Sequence, residues 1–125
     1  MVIKSNAKLK RGVDNVSVLK QLYVIAERNK TSKICAAIAA AGAHCENTVM
    51  ARGTARSDLL EMLGLDNSDK VLILATADSS AVEGIMNVLK KDFRFGAGGG
   101  IAFTVPVSAV SGPASLLILS GGKYR

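Results

Sequence analysis

Residues 71–107 read VLILATADSSAVEGIMNVLKKDFRFGAGGGIAFTVPV, and this stretch decides the fold. It opens with a continuous apolar run, residues 71–75, which predicts a central strand covered on both sides. Apolar positions then recur at three- and four-residue spacing, which predicts a helix that ends in the basic pair Lys90-Lys91. These positions are Val82, Ile85, Met86 and Leu89. After a glycine-rich loop, residues 101–107 alternate as a further strand. The stretch therefore reads strand, helix, strand.

The first half of the chain shows the same order. Residues 18–26 (VLKQLYVIA) are rich in β-forming residues and predict a first strand. Thr31 or Asn29 is placed to cap a helix that Gly42 ends. Its apolar positions are Ile34, Ala37, Ile38 and Ala41. Residues 44–51 then return to an extended pattern, which predicts the second strand.

Two copies of one strand–helix–strand unit predict an α+β fold. Right-handed crossovers place both helices on one face of an antiparallel four-stranded sheet, the ferredoxin-like βαβ-βαβ sandwich. One short chain has too little left to cover the other face, so we expect an oligomeric assembly. We expect residues 1–17 to form a basic arm, 18–120 the domain and 121–125 a tail, and residues 115–119 to form a last strand. Residues 58–63 are expected to form a short helix.

Composition narrows the function classes. The chain of 125 residues carries a formal charge of +6, but its basic residues are scattered and its aromatic content is 4%, which disfavours nucleic-acid binding. No apolar run reaches the ~18 residues of a membrane span, so we expect no stable membrane insertion and a cytoplasmic protein. Cys35 and Cys45 lack metal-ligand spacing and are expected to be free thiols, with no metal site.

Residues 19–107 resemble the PII nitrogen-regulatory signalling family, as a divergent member with a short loop. Gly53-Thr54-Ala55-Arg56 is similar to the G-F-G-R turn at the base of that family's recognition loop. The stretch GAGGGIAF, residues 96–103, looks like its phosphate loop and fourth strand, and Gly42 stands at its first helix stop.

The resemblance implies a homotrimeric regulator that takes part in signal transduction and regulation of nitrogen or carbon utilization. It implies nucleotide binding between subunits, with ATP, ADP or AMP as candidate ligands and no required cofactor. The implied nucleotide-binding residues are Gly53, Thr54, Arg56, Gly96, Gly98, Gly99 and Gly100. The implied partner-binding loop, residues 57–70, contributes Ser57, Asp58, Asp66, Asn67 and Lys70 toward a regulated enzyme or transporter.

Several features of the sequence depart from the family's pattern. Ile101 replaces the lysine after the phosphate loop, and Ser57 replaces the glutamine after the turn's arginine. Residues 108–119 contain no arginine. Ser57 points away from 2-oxoglutarate and magnesium handling. The missing basic side chains leave another small anionic metabolite, smaller or differently held, as an alternative to an adenine nucleotide. The absence of a tyrosine in residues 57–70 points away from nucleotidylation.

Two other functions fit the residues. One is a structural or interaction trimer of the same fold, resembling divalent-cation-tolerance proteins, in which the glycine loop only packs. The other is a small enzyme that uses His44 or Asp58. In a regular strand His44 and Glu46 share a side and Cys45 faces away, so packing is the expected role of these three. Our hypothesis is therefore a regulator with no catalytic residues.

Overall fold

The computed structural model describes residues 18–52 and 69–122. These two ranges contain four strands and three α-helices. In order they are β1 (Leu19–Glu27), α1 (Thr31–Ala40), β2 (His44–Arg52), β3 (Asp69–Asp78), α2 (Ser79–Phe93), β4 (Ile101–Pro106) and α3 (Pro113–Leu119). A 3₁₀ turn, Arg28–Lys30, joins β1 to α1. The predicted arm, the predicted helix at 58–63 and residues 123–125 of the tail lie outside the described residues.

The strands form one antiparallel sheet in the order β2-β3-β1-β4. The two central strands, β1 and β3, pair along their whole length, from Leu19 opposite Asp78 to Glu27 opposite Lys70. β4 pairs with the other side of β1, and β2 with the other side of β3. This order is that of the ferredoxin-like fold, so the predicted α+β class and topology are confirmed.

The core lies between one face of the sheet and the helices α1 and α2. Alternate residues of β1 and β3 are fully buried there, as the two-residue period of a strand requires. Ile34 and Ile38 of α1, and Ile85 and Leu89 of α2, meet them at helical four-residue spacing. The strand residues of this core are Leu22, Val24, Ala26, Val71, Ile73, Ala75 and Ala77. No helix within the described ranges has the length and apolarity that a bilayer span demands.

The helix ends differ in detail from the sequence-based expectation. α1 begins at Thr31, after Lys30, and neither residue forms a side-chain capping bond. The Thr31 hydroxyl donates instead to the Arg28 carbonyl, at 2.7 Å. Gly42 ends α1 as predicted, because its φ of 114° is readily adopted only by glycine. Asp78 precedes α2, again without a side-chain capping bond.

Residues 115–119 form a helix, so the prediction of a last strand is wrong. The run SLLIL is short enough to suit either structure. Pro113 occupies the first helical turn, where its missing N–H costs no helical hydrogen bond. Leu116 and Ser120 are the buried residues of this segment, and their four-residue spacing matches a helix. α3 packs at the start of β2.

Candidate functional site

The predicted site divides between described and undescribed residues. Its four glycines in the stretch 96–100 lie in the connection from α2 to β4. Lys70 lies in β3. The remaining predicted residues lie outside the described residues, and their roles stay predictions. They are Gly53, Thr54 and Arg56 of the nucleotide site, and Ser57, Asp58, Asp66 and Asn67 of the partner loop.

The glycine loop turns through several left-handed backbone positions. Arg94 ends α2 with φ 60°, and Gly96, Gly98 and Gly100 follow with φ of 87°, 102° and 151°. Glycine adopts such values without the steric cost that a Cβ imposes. Arg94 carries that cost, and it is a feature that sequence reasoning missed. The one sequence signal for this left-handed conformation is that Arg94 directly follows Phe93, the last apolar residue of the helix.

Two of the glycines are also required by close packing. A Cβ on Gly99 would lie 1.8 Å from the carbonyl oxygen of Phe93. A Cβ on Gly100 would lie 2.6 Å from the carbonyl oxygen of Ile25 and 2.7 Å from the ring of Phe95. Gly96, in contrast, has open space where a Cβ would stand. The loop thus folds tightly against β1 and the end of α2, and part of its glycine content has a structural reason.

The backbone of the loop is partly engaged in its own hydrogen bonds. Ala97 and Gly99 both donate to the carbonyl oxygen of Arg94, at 2.9 and 3.0 Å. Among the described residues, no backbone acceptor takes the N–H groups of Gly96, Gly98 or Gly100. Exposed backbone N–H groups in such turns can bind an anion. Of the predicted donors, Gly99 is therefore already bonded, whereas Gly98 and Gly100 have no backbone acceptor within residues 18–52 and 69–122.

The topology brings the glycine loop and the end of β2, the strand that precedes Gly53 in the sequence, to the same end of the sheet but to opposite edges. Gly100 precedes β4, whose first residue Ile101 pairs with Ile25 near the end of β1. β2 ends at Arg52, which pairs with Asp69, the first residue of β3. Three strand spacings separate these edges, about 14 Å. Within one chain, the glycine loop and the end of β2 are thus held apart by β1 and β3.

Lys70 has a different setting from the exposed loop in which it was predicted. It pairs with Glu27 and Ala51 inside the sheet, and its exposed fraction is 2%. In this arrangement its side chain is closed to a partner. Its part in partner binding stays a prediction.

His44 and Glu46 lie on opposite sides of the sheet, so the predicted shared side is wrong. A bulge between His44 and Asn47 breaks the alternation, and Cys45 there has φ 55°. The ring of His44 lies against Gly121. A Cβ added to Gly121 would lie 2.5 Å from the Nδ1 atom of His44. Glu46 instead hydrogen-bonds the Cys35 thiol on the helix side.

The thiols are free, as predicted, and differ in their surroundings. Burial, with a smaller contribution from the hydrogen bond and negative charge of Glu46, raises the pKa of Cys35 to about 11. This thiol is therefore protonated and unreactive at neutral pH. No group of three or more His, Cys, Asp or Glu residues in 18–52 and 69–122 is arranged to hold a metal ion.

Solved structures share this arrangement of strands and helices. CPII from Thiomonas intermedia K12, bound to ADP, AMP and acetate, superposes with TM-score 0.55 at 19% identity, over 69% of this chain and 82% of that one. Arabidopsis thaliana PII bound to citrate gives 0.55 at 22% identity, over 74% and 79%. A Bacillus cereus protein related to NIF3 gives 0.58 at 14% identity, over 73% of this chain but 25% of that one.

No protein-family model matches the sequence, and no curated protein matches it either. The likeness to the solved structures therefore concerns the fold. At that level the resemblance found in the sequence is confirmed, since two of these structures are a PII protein and a nitrogen-regulatory PII-like protein. The chain has the ferredoxin-like fold that PII proteins share.

Proposed function

We propose that this protein is a PII-like regulator that binds an adenine nucleotide in clefts between the subunits of a homotrimer and controls a partner protein in nitrogen or carbon metabolism. In this proposal it signals by binding and catalyses no reaction. ATP, ADP and AMP are the candidate ligands, and CPII, which shares the fold, binds ADP and AMP.

One observation carries the proposal. The glycine loop and the end of β2 lie at one end of the sheet but on its two outer edges. A ligand that touches both stretches needs the β4 edge of one chain beside the β2 edge of another. In a ring of three chains every such pair of edges can meet, which gives three equivalent clefts.

α3 covers one end of the sheet face opposite α1 and α2, near Thr76 and His44. The rest of this face carries no helix among the described residues, and it supports assembly. We call it the open face, and it is apolar in its middle. Phe103 stacks on Tyr23 with ring centroids 4.9 Å apart, and Phe103 is 44% exposed. The large apolar residues in the middle of the open face, assigned by strand register, are Tyr23, Ile25, Val49, Leu72, Leu74, Ile101, Phe103 and Val105. A face of this kind is normally buried against another layer, and sister chains supply that layer in the proposed trimer.

The loop has the chemistry for an anionic ligand. The N–H groups of Gly96, Gly98 and Gly100 are not taken by backbone acceptors among the described residues, and the exposed Arg94 lies two residues before the first of them. Arg56, at the predicted turn after β2, would contribute a second guanidinium from the neighbouring subunit. Phosphate groups suit such a combination of backbone donors and arginine.

Light scattering and calorimetry test the proposal together. Size-exclusion chromatography with light scattering is expected to give three times the chain mass. Calorimetric titration with ATP, ADP and AMP is expected to give heat for at least one of them. A monomer would overturn the whole proposal, and a trimer that binds none of the three would overturn the nucleotide part alone.

A pair of arginine variants tests the site. Arg56→Ala is expected to weaken nucleotide binding about tenfold, since a charge-assisted contact to phosphate contributes about 1.5–3 kcal/mol. Arg28→Ala is the matched control, because Arg28 is an exposed arginine at the same end of the sheet whose observed partner is Asp69. Equal affinities of the two variants would remove Arg56 from the site.

A second function is favoured by the packing of the glycine loop. Gly99 and Gly100 are required by contacts within the chain, and a loop explained in this way needs no ligand. The protein would then be a structural or interaction trimer of the same fold, similar to divalent-cation-tolerance proteins. A stable trimer without nucleotide heats is the result expected for this alternative.

A further inference from the structure

Basic side chains are concentrated at the end of the fold where β1 and β2 finish and β3 and β4 begin. They come from the turn and first residues of α1 and from the last turn of α2 and the residue after it. Five of them are exposed and Lys30 is half-buried. We call this surface the basic face, and its members are Arg28, Lys30, Lys33, Lys90, Lys91 and Arg94.

The opposite end of the fold has the reverse balance. Lys20 is its one basic residue among those described. Glu46 at the start of β2, Asp78 at the end of β3 and Glu83 in α2 supply negative charge there. The two ends of the molecule therefore differ in sign, which uniform surface charging for solubility does not require.

Two members of the basic face lie where they oppose local stability. Lys33 is the third residue of α1, near the positive end of the helix dipole, and the first turn contains no acidic residue to offset it. Arg94 occupies a left-handed position that favours glycine. Lys90 and Lys91, in contrast, suit the negative end of the dipole of α2. Residues that break a local rule without an internal gain tend to serve function.

The face also carries negative charge, which decides between partners. Asp92 is exposed between Lys91 and Arg94, Glu27 ends β1 at the same end of the sheet, and Asp69 forms an ion pair with Arg28 at 3.0 Å. A phosphate backbone or an anionic bilayer would be repelled at these points, whereas a protein surface can place a cation there. Phe93 is half-buried and Phe95 is buried, so neither is well placed to stack on bases or insert into lipid.

We propose that the basic face is a docking surface for an acidic segment of a protein partner. The proposal rests on the proposed function in one respect, that a regulator of this kind has a protein partner. The new element is the chemistry of that partner, an acidic segment. The proposal also assigns part of the contact to the start of α1 and the end of α2, in addition to the predicted loop at residues 57–70. Such an interaction weakens as salt rises, because the charges involved are exposed.

Three single charge reversals test the proposal with matched net charge. Lys33→Glu and Lys91→Glu change the basic face, and Lys20→Glu makes the same change at the opposite end. The probe is a fluorescein-labelled peptide of alternating Glu and Ala, measured by fluorescence anisotropy at low and physiological salt without nucleotide. Lys33→Glu and Lys91→Glu are each expected to weaken binding at least about fivefold, and Lys20→Glu less than about twofold.

Each other outcome overturns the proposal. Equal losses of peptide affinity in all three variants would mean that net charge alone attracts the peptide. If the wild-type chain did not bind the peptide, the basic face would not be a docking surface for acidic segments. Tighter binding to a DNA duplex or to phosphatidylserine vesicles than to the peptide would assign the face to another partner. Lys33→Glu is expected to melt no lower than the wild type, since glutamate suits that helix position, so its loss of binding cannot come from unfolding.

Calorimetry on the same proteins separates this proposal from the proposed function. Nucleotide heats that persist in variants with lost peptide binding would support both. Peptide binding by a wild-type protein that gives no nucleotide heat would leave the basic face intact and overturn the nucleotide site.

Discussion

The hydroxyl group of Thr76 in β3 donates a hydrogen bond to the carbonyl oxygen of Leu119, the last residue of α3. The same hydroxyl lies 3.3 Å from the carbonyl oxygen of His44, at the start of β2. Thr76 is 2% exposed. One buried side chain therefore joins the last helix to two strands of the sheet.

Thr76→Val is expected to destabilise the protein by about 1–2 kcal/mol, because it keeps the shape of the side chain but leaves the Leu119 carbonyl without its donor. Urea unfolding followed by circular dichroism measures this change. Limited proteolysis is expected to show faster cleavage near α3. Thr48→Val is the control, since Thr48 is an exposed threonine of β2. Equal effects of the two substitutions would show that the bond to α3 contributes nothing.

Two glycine-to-alanine substitutions are expected to act in opposite directions. Gly99→Ala places a Cβ against the carbonyl oxygen of Phe93 and is expected to cost about 3 kcal/mol. Gly84 lies in α2 with open space around it, so Gly84→Ala is expected to stabilise by about 1 kcal/mol through helix propensity. Thermal unfolding of both variants checks the signs. A Gly99→Ala protein as stable as the wild type would show that the loop is loosely packed.

The order of strands and helices could be predicted because the spacing of apolar residues in the sequence changes at the boundaries between strands and helices. Residues 71–75 are apolar without interruption and form the buried middle of β3, while the four-residue spacing of Ile85 and Leu89 gives the core face of α2. The segment 115–119 is too short for its period to separate helix from strand, and it depends on tertiary packing.

The candidate site was harder to predict for physical reasons. The left-handed conformation of Arg94 violates a local preference, so no residue preference points to it. The bulge at Cys45 shifts the register of β2 and reverses the side of Glu46, which alternation alone cannot foresee. The hydrogen-bonding role of Thr76 had one weak indication in the sequence, because Thr76 is the single polar residue between Val71 and Ala77 in β3.

Arg94→Gly is expected to stabilise the protein by roughly 0.5–1 kcal/mol, because glycine adopts φ 60° without a Cβ clash. Arg94→Ala is the matched control, since it removes the same charge but keeps the Cβ, and no gain is expected from it. Guanidinium unfolding of the two variants measures the difference. A gain in both would assign the effect to charge rather than to backbone conformation.

The two cysteines are expected to react at very different rates. Cys45 is exposed, whereas burial and Glu46 raise the pKa of Cys35 to about 11. At pH 8 the thiol of Cys35 is thus almost entirely protonated, and alkylation requires the thiolate. Iodoacetamide labelling of Cys35→Ser and Cys45→Ser proteins, followed by mass spectrometry, checks this. Fast labelling of the Cys45→Ser protein would contradict it.

Glu46→Gln in the Cys45→Ser background isolates the contribution of the carboxylate. Removing a nearby negative charge favours the thiolate, so the pKa of Cys35 is expected to fall below about 11 and labelling to accelerate. Absorbance of the thiolate during a pH titration measures the shift. An unchanged titration would leave burial as the whole cause of the raised pKa.

The open face is expected to hold the proposed assembly together, and a pair of charge insertions separates it from the rest of the surface. Phe103 is 44% exposed on the open face, stacked on Tyr23, whereas Met50 is 60% exposed but pairs with Val71 on the helix side of the sheet. Phe103→Glu places a carboxylate among apolar side chains and is expected to give monomers in light scattering, because burial of an unpaired charge costs several kcal/mol. Met50→Glu adds the same charge outside that layer and is expected to keep the wild-type mass. If both variants kept the mass of the wild type, subunits would have to meet elsewhere, and the clefts inferred from the two sheet edges would lose their support.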